Sequence, residues 1–288
     1  MRDLVGCFAN QAVRVAEATC ASRDASSAVT ELPIQNAISC FYRSLLSSRK
    51  ELLTAVTWSR NQAGASLSVT VEDGSSASSK LLRKKKGSRS FASGGGSAIT
   101  LHWDVSAATY ASGPKPAKDF YVVVVADAEL GLLLGDRWGE FVKKLDGGLP
   151  VAEFRMVGRT EQVRGPGAYS TRAQLCDGGE EHEIEIVCRG DERDAEGSEL
   201  HVAIDKERLV SVERLQWNFR GSKTILVDGS TVDVMWDMHD WWFCGASPCA
   251  LFVFRRRNSM GDSRVWPDEE SAQGISGFSL LIQAFKSL

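Results

Sequence analysis

Alternation between apolar and polar residues, repeated in short segments, constrains this fold more than any other feature of the chain. In Ile99–Val105, apolar side chains occupy every second position, between Thr, His and Asp. The same pattern recurs in Leu67–Val71, Ile184–Ile186 and Val232–Trp236. Because successive side chains of a β-strand point to opposite faces, each segment is predicted to be a strand with one buried and one solvated face.

Short connections between neighbouring apolar runs indicate antiparallel pairing. The dipeptide Asp228-Gly229 separates two such runs, and Asp205–Glu207 and Asp127–Glu129 connect two further pairs. A parallel crossover needs about a dozen residues, so these connections predict hairpins.

The number of predicted strands, roughly a dozen, exceeds what one open antiparallel sheet usually carries. The chain is therefore predicted to be mainly β and to form an antiparallel β-sandwich, with a closed β-barrel as the alternative. Tyr121–Ala126 and Leu251–Phe254 are apolar at every position, which predicts central strands.

Two helices are predicted beside the strands. The spacing of the apolar residues between Pro33 and Leu46 is close to 3.6, which predicts an N-terminal helix there. A second, short helix is predicted at about 137–145, where Trp138 and Phe141 share a face.

Residues 1–30 are predicted to be a flexible N-terminal segment, and residues 31–288 a single antiparallel β domain with the N-terminal helix. No convincing internal repeat is expected, because HWD at 102–104 and MWD at 235–237 share only two residues. Three segments of small or charged residues are predicted to be flexible loops: Ser75–Ser79, Ser93–Ser97 and Gly190–Ser198.

Composition excludes several classes of protein. The 288 residues include 34 Lys and Arg and 37 Asp and Glu, and the net charge of −3 argues against a nucleic-acid coat or a polybasic membrane protein. No apolar run approaches the length of about 18 residues that a membrane-spanning helix needs. Seven irregularly spaced cysteines and no evident signal core predict an intracellular protein, cytoplasmic or nuclear, with reduced thiols.

Asp237, His239, Asp240 and Cys244 form the richest group of chemically active side chains, among three tryptophans. These residue types bind metals, and His102 is a candidate partner from another strand. The second pair of ligands that zinc sites normally have is missing, so a strand end with a tight turn is the favoured interpretation.

No catalytic residue, metal or cofactor is predicted. The chain contains no G-x-S-x-G, P-loop or H-E-x-x-H motif. His102 and Asp104 share a strand face, which is typical of a solvated outer face and less often of a proton-transfer pair. His182 has the parity of Ile184 and Ile186, which predicts a hydrogen-bonded core histidine.

Tryptophan is frequent, with eight residues. Trp103, Trp217 and Trp236 follow the inward parity of their apolar neighbours and are predicted to lie in the core. In an extended segment Trp241 and Trp242 would point to opposite sides, so one of them is predicted to be exposed.

Arg83, Lys84, Lys85, Lys86 and Arg89 place five positive charges within seven residues. Such a run is predicted to bind an anionic ligand, an acidic protein partner or an import receptor. The alternative is a charged sheet edge that discourages aggregation.

Five segments carry a resemblance to a known family: WDVSAATYASGPKPAKDFYVVVVADAELGLLLGD (103–136), YSTRAQ (169–174), LQWNFRGSKTILVDG (215–229), VMWDMHDWWF (234–243) and GFSLLIQAFK (277–286). They resemble a plant family of uncharacterised proteins, domain of unknown function 868. The similarity begins at about residue 30 and continues to the end. It implies a plant intracellular protein without established activity, cofactor or catalytic residues.

A non-enzymatic binding or interaction module is the leading hypothesis, with a protein, an anion or an apolar ligand held by loops. One alternative is a metal-dependent enzyme or metalloprotein that uses Asp237, His239, Asp240 and Cys244. Another is a carrier of a lipid or small apolar ligand with an internal cavity.

Overall fold

A large β-sheet with two smaller sheets on it makes up most of this computed structural model. The structure describes residues 34–61, 64–74, 76–145, 148–176, 179–190, 197–243, 248–257 and 277–286. These residues contain nineteen strands and two short helices, α1 (Trp138–Val142) and α2 (His239–Phe243).

Nine strands form the large sheet, and all neighbours are antiparallel except one parallel pair. From edge to edge the order is β16 (Arg220–Val227), β17 (Ser230–Asp237), β18 (Cys249–Arg256), β19 (Ser279–Lys286), β11 (Glu153–Gly165), β1 (Ile34–Leu45), β2 (Glu51–Asn61), β3 (Gly64–Asp73) and β4 (Ser76–Leu82). The parallel pair is β11 and β19.

Two antiparallel sheets of four strands pack on the large one. The first has the order β10 (Glu129–Gly135), β9 (Tyr121–Ala126), β6 (Ala98–Asp104) and β5 (Lys86–Ala92). The second has the order β12 (Ala168–Gln174), β13 (Glu181–Arg189), β14 (Glu199–Ile204) and β15 (Glu207–Glu213). A two-stranded hairpin, β7 (Thr109–Tyr110) and β8 (Pro116–Lys118), lies between β6 and β9 in the chain.

Both small sheets cover the same face of the large sheet. One row of paired residues crosses all nine strands: Leu82, Leu67, Trp58, Ile38, Glu161, Ile282, Phe252, Trp236 and Gly221. Directly paired residues point to the same face. Trp58 packs in one core with Val122 of the first small sheet, and Phe252 packs in another with Ile184 of the second.

The chain repeats one topology. β1–β4 form a meander in one sheet, and β5, β6, β9 and β10 form a meander in the sheet that faces it. In the same way, β12–β15 form a meander in the second small sheet, and β16–β19 form a meander in the large sheet that faces it. β11 joins the two units. We call β1–β10 with α1 the first half and β12–β19 with α2 the second half. This repeat is one of topology and of very few residues, which is why the sequence shows no convincing internal repeat.

The predicted fold class is confirmed: the chain is mainly β and its sheets pack as antiparallel sandwiches. The described residues do not form the closed barrel that was the alternative, because β16 and β4 are open edges of the large sheet. The short helix predicted at 137–145 is α1. The three predicted hairpin turns also form, with positive φ at Asp127, Asp205 and Asp228.

The predicted N-terminal helix is wrong, since residues 34–45 are strand β1. Ile38, Cys40, Tyr42 and Ser44 are buried and alternate with more exposed residues, which is a period of two. Pairing with β2 and β11 on both sides satisfies the backbone of this strand, so tertiary contacts override the helical spacing. Residues 1–30 lie outside the described residues.

Residues 76–79 and 93–97 of the predicted flexible loops have regular pairing or turn structure, while Ser75 and most of Gly190–Ser198 lie outside the described residues. Ser76–Ser79 belong to the edge strand β4, whose polar composition hides its pairing with β3. The Ser93–Ser97 turn closes around the buried carboxylate of Asp73. No described helix is long and apolar enough to cross a membrane.

Candidate binding surfaces

A tryptophan and a glycine fix the connection between the large and small sheets in the first half. Trp103, near the end of β6, pairs with Gly87 at the start of β5, and a Cβ on Gly87 would lie 3.0 Å from the indole ring. The indole Nε1 donates a hydrogen bond to the carbonyl oxygen of Lys84 at 2.8 Å. This bond anchors the backbone of the loop between β4 and β5.

Asp104 holds the same connection through its carboxylate. Its Oδ2 lies 2.9 Å from Nζ of Lys86, and its Oδ1 accepts a hydrogen bond from the backbone N–H of Ser106 at 3.1 Å. Burial raises the pKa of Asp104, but the hydrogen bonds from Ser106 and Lys86 outweigh burial and lower the pKa to about 2. Lys86 is therefore engaged in the framework of the loop.

The second half repeats this arrangement residue for residue. Trp236 pairs with Gly221, and its Nε1 donates to the carbonyl oxygen of Asn218 at 3.0 Å. Asp237 binds Arg220 at 2.6 Å and accepts a hydrogen bond from the backbone N–H of His239 at 3.1 Å. In both halves the carbonyl lies three residues before the glycine, and the cation directly before it. Each framework presents the side chains of one loop.

The loop of the first half presents cations. Arg83, Lys84 and Lys85 are exposed, and none of them has an ion-pair partner among the described residues. Arg89 is also exposed and lies further along β5, where it pairs with Leu101.

Helix α1 begins at the same end of the first half. A register row joins Lys86, Asp104, Tyr121 and Gly135 across the four strands of the small sheet, and α1 follows Gly135 in the chain. Three strand spacings of about 4.8 Å separate the two sides of this row, about 14 Å in all. Lys143 and Lys144 after α1 are also exposed, but the chain then returns to the opposite end of β10, where Val151 pairs with Leu130. We call the three loop cations the basic end: Arg83, Lys84 and Lys85.

Aromatic rings occupy the matching end of the second half. Trp217 is 76% exposed and Phe243 is 57% exposed, although most large apolar residues are buried. The Phe219 ring lies 5.8 Å from that of Phe243 and 5.6 Å from that of His239. Trp217 was predicted to lie in the core with Trp103 and Trp236, and only this part of the prediction is wrong. The turn that begins at Arg214 breaks the strand parity on which the prediction depends.

Trp241 and Trp242 are both buried, which corrects the prediction that one of them is exposed. The segment is the helix α2 and not an extended strand, so the two rings do not point to opposite sides. Lys286 at the end of β19 places its Nζ 5.7 Å from the centroid of the Trp241 ring.

The structure only partly brings together the polar cluster proposed from the sequence. Asp237 pairs with Arg220, while Asp240 accepts a hydrogen bond from Nδ1 of His239 at 2.9 Å on the exposed side of α2. Cys244 lies outside the described residues. His102 belongs to β6 of the first small sheet, where its ring lies 4.5 Å from that of Phe141 in α1. Burial lowers the pKa of His102.

A family model described as "Plant protein of unknown function (DUF868)" matches residues 33–286. The chain belongs to the DUF868 family. No curated protein and no solved structure matches it. The resemblance that the sequence segments carry is therefore confirmed over nearly the whole chain.

The polar side chains and the cavity of this DUF868 protein bear on the metalloprotein and the carrier alternatives. Among the residues that the structure describes, no three His, Cys, Asp or Glu side chains converge as a metal site. A cavity beside Glu161, lined also by Thr171 and Ile282, measures about 10 Å³. That volume admits about one water molecule, so this cavity does not suit the lipid that the carrier hypothesis requires.

Proposed function

We propose that this protein is a non-catalytic interaction module that binds an anionic partner through its basic end. The observation that carries the proposal is the set of exposed cations Arg83, Lys84 and Lys85, which lack ion-pair partners among the described residues. The loop that carries them is held by Trp103 and Asp104, so little backbone freedom is lost when a partner binds.

Local charge and total charge point to a contact of limited area. The chain as a whole has a net charge of −3, whereas the loop at 83–85 carries three exposed cations side by side. A polyanion that wraps around the chain would meet the negative remainder of the surface, while a partner that contacts this loop alone avoids it. Interactions between exposed charges are screened by salt, so the proposal requires binding that weakens as salt rises.

The test measures binding of soluble anions, with a fluorescein-labelled oligoglutamate peptide and a labelled phosphoserine peptide as probes. Fluorescence anisotropy should show binding at low salt, and the combined Arg83→Glu, Lys84→Glu and Lys85→Glu variant should lose about tenfold or more in affinity, since each cation near an anionic surface contributes about 1 kcal/mol.

A matched control separates the basic end from general attraction to cations. Lys206→Glu, Arg208→Glu and Lys223→Glu change three exposed cations of the second half by the same total charge. This control variant should bind both peptides like the wild type. Equal losses in the two variants, or no binding of either peptide at low salt, would rule the proposal out.

We also propose that the protein works inside the plant cell, in the cytoplasm or the nucleus. Cys40, Cys176, Cys188 and Cys249 are free thiols, which supports a reducing compartment. A fluorescent fusion of the full chain should show the compartment, and the triple Glu variant at 83–85 should leave the nuclear fraction lower if the basic run also serves in import.

A further inference from the structure

An exposed tryptophan lies at the same end of the small sheet as the cations of the basic end. Trp138, the first residue of α1, is 40% exposed. An anionic peptide or a free phosphate has no use for this side chain. Tryptophan is enriched where a protein meets the boundary between lipid and water, because its ring is amphipathic.

Helix α1 is fixed on the protein by residues other than Trp138. The Phe141 ring lies 4.5 Å from the ring of His102 and 6.0 Å from that of Tyr121 on the outer face of the small sheet. Arg137 donates two hydrogen bonds to Glu140, at 2.9 and 2.7 Å. These contacts position the helix and leave Trp138 exposed.

Charge and aromatic character coincide at one end of a rigid sheet. The loop at 83–85 and α1 begin from opposite ends of the row that joins Lys86 and Gly135, about 14 Å apart by strand spacing. The backbone N–H of Arg137, directly before α1, donates a hydrogen bond to the carbonyl oxygen of Phe120 at 3.2 Å. The start of the helix and the loop at 83–85 therefore lie at one end of the small sheet.

We propose that the anionic partner of the basic end is the surface of a membrane that contains anionic lipid, with Trp138 at the lipid–water boundary. This inference rests on the proposed function and names its partner. The cations provide attraction to lipid headgroups, and removing one of them weakens such binding by about fivefold. The protein binds at the surface and does not span the bilayer.

The experiment compares vesicles with soluble anions. The full chain is sedimented with vesicles of phosphatidylcholine alone and of phosphatidylcholine with phosphatidylserine, and oligoglutamate binding is measured in parallel. Binding to the phosphatidylserine vesicles is expected, with weak binding to phosphatidylcholine. The Trp138→Ser variant should lose about fivefold or more of its vesicle binding, since interfacial aromatic contact is removed, and should keep its affinity for oligoglutamate.

Two further variants make the result specific. Trp138→Phe keeps an aromatic ring and should restore most of the vesicle binding. Trp217→Ser removes the more exposed tryptophan of the second half and should leave vesicle binding unchanged. Because both tryptophans are exposed, circular dichroism should show all variants folded.

The outcomes are distinguishable. Binding of oligoglutamate without binding to phosphatidylserine vesicles would overturn the membrane inference and leave the proposed function standing. Failure of both would overturn both. Equal vesicle binding by Trp138→Ser and the wild type would show that the charge alone is recognised, and would also overturn the inference.

Discussion

At the scale of the residue, two glycines determine whether the tryptophan frameworks can form. A Cβ at position 221 would lie 2.3 Å from the Trp236 ring, whereas at position 87 it would lie 3.0 Å from the Trp103 ring. Overpacking of this kind costs about 1–3 kcal/mol. Gly221→Ala should therefore lower the free energy of unfolding in urea more than Gly87→Ala does. Gly139→Ala is the control, because its Cβ would meet nothing within 4 Å, and an equal or larger loss there would contradict the argument.

A single carboxylate explains why the Ser93–Ser97 turn is ordered. Asp73 is 4% exposed, and it binds Nζ of Lys50 at 2.8 Å and accepts a hydrogen bond from Ser93. Burial raises the pKa of Asp73, but these bonds outweigh burial and lower the pKa to about 2. A carboxylate with a lowered pKa stabilises the fold above its unfolded pKa, and this contribution is lost as the pH falls through the folded value.

Asp73→Asn should consequently destabilise the protein at neutral pH by about 2 kcal/mol, since each unit of pKa shift corresponds to about 1.4 kcal/mol. The difference from the wild type should shrink as the pH falls from about 4 towards 2. Urea unfolding at several pH values measures both quantities. Asp119→Asn, at an exposed position, should show neither effect. A loss for Asp73→Asn that does not change with pH would count against the ion pair.

At the scale of the element, the sequence predicts strands well where apolar residues alternate and badly where they do not. Alternation correctly predicts β6 and β17. β4 gives no such signal, because Ser and Lys fill most of an edge strand that buries only Leu82. A helix is predicted in place of β1 because Ile34, Ile38, Phe41 and Leu45 fit a helical period by coincidence. One of its pairing partners, β11, is more than 100 residues away in the chain, so local spacing carries no information about it.

The candidate surfaces were predictable to different degrees. The run at 83–89 is visible in the sequence because like charges cluster locally, although the engagement of Lys86 with Asp104 is not. The sequence does not predict the exposed rings of Trp217 and Phe243, because parity arguments assume a continuous strand and residues 214–218 form bends and a turn. The position of α1 at the same end as the basic run depends on the sheet row, which no local pattern encodes.

Two hairpins of the second half are joined by one histidine. Nδ1 of His182 lies 2.6 Å from Asp205 in the β14–β15 turn, and Nε2 lies 2.9 Å from Asp228 in the β16–β17 turn. The prediction that His182 is hydrogen-bonded is confirmed, but its placement in the core is wrong, because the residue is only partly buried and lies between two turns. The bonds to Asp205 and then to Asp228 raise the pKa of His182 above its ordinary value. The protonated form therefore ties the second small sheet to the large sheet.

The two bonds of His182, which we call the His182 clamp, predict a free energy of unfolding that depends on pH. Because the folded pKa of His182 is raised, its contribution is complete below the unfolded pKa of about 6.5 and is lost as the pH rises through the folded value. The wild type should be more stable towards urea at about pH 6 than at about pH 9, and His182→Asn should reduce this difference. His239→Asn, at an exposed histidine, is the control. Identical pH profiles for wild type and His182→Asn would exclude the clamp.

At the scale of the whole molecule, the repeat shows how few residues a topology needs. The two frameworks share a glycine, a Trp-Asp pair and a cation, while the loops that they hold differ completely, with cations in one half and aromatic rings in the other. The shared residues are too sparse to be detected as a repeat in the sequence. A duplicated framework with divergent loops is a physical basis for two different surfaces on one chain.

The two halves depend on β11, which pairs with β1 on one side and with β19 on the other. At its centre, Glu161 is fully buried in the row that crosses the large sheet. It binds Arg159 at 2.6 Å, and it accepts hydrogen bonds from Gln35 of β1 and Thr171 of β12. One carboxylate thus connects the first half, the joining strand and the second small sheet.

Removing this carboxylate should weaken the junction. Glu161→Ala leaves the guanidinium of Arg159 without its partner, and breaking a buried ion pair in this way costs about 3–5 kcal/mol. Glu161→Gln keeps the size and part of the hydrogen bonding, so its cost should be smaller. Glu153→Ala, at an exposed position of the same strand, should change stability by less than about 0.5 kcal/mol. Calorimetry and urea unfolding measure the series. A loss for Glu161→Ala no larger than that for Glu153→Ala would mean that apolar packing and strand pairing alone hold the halves together.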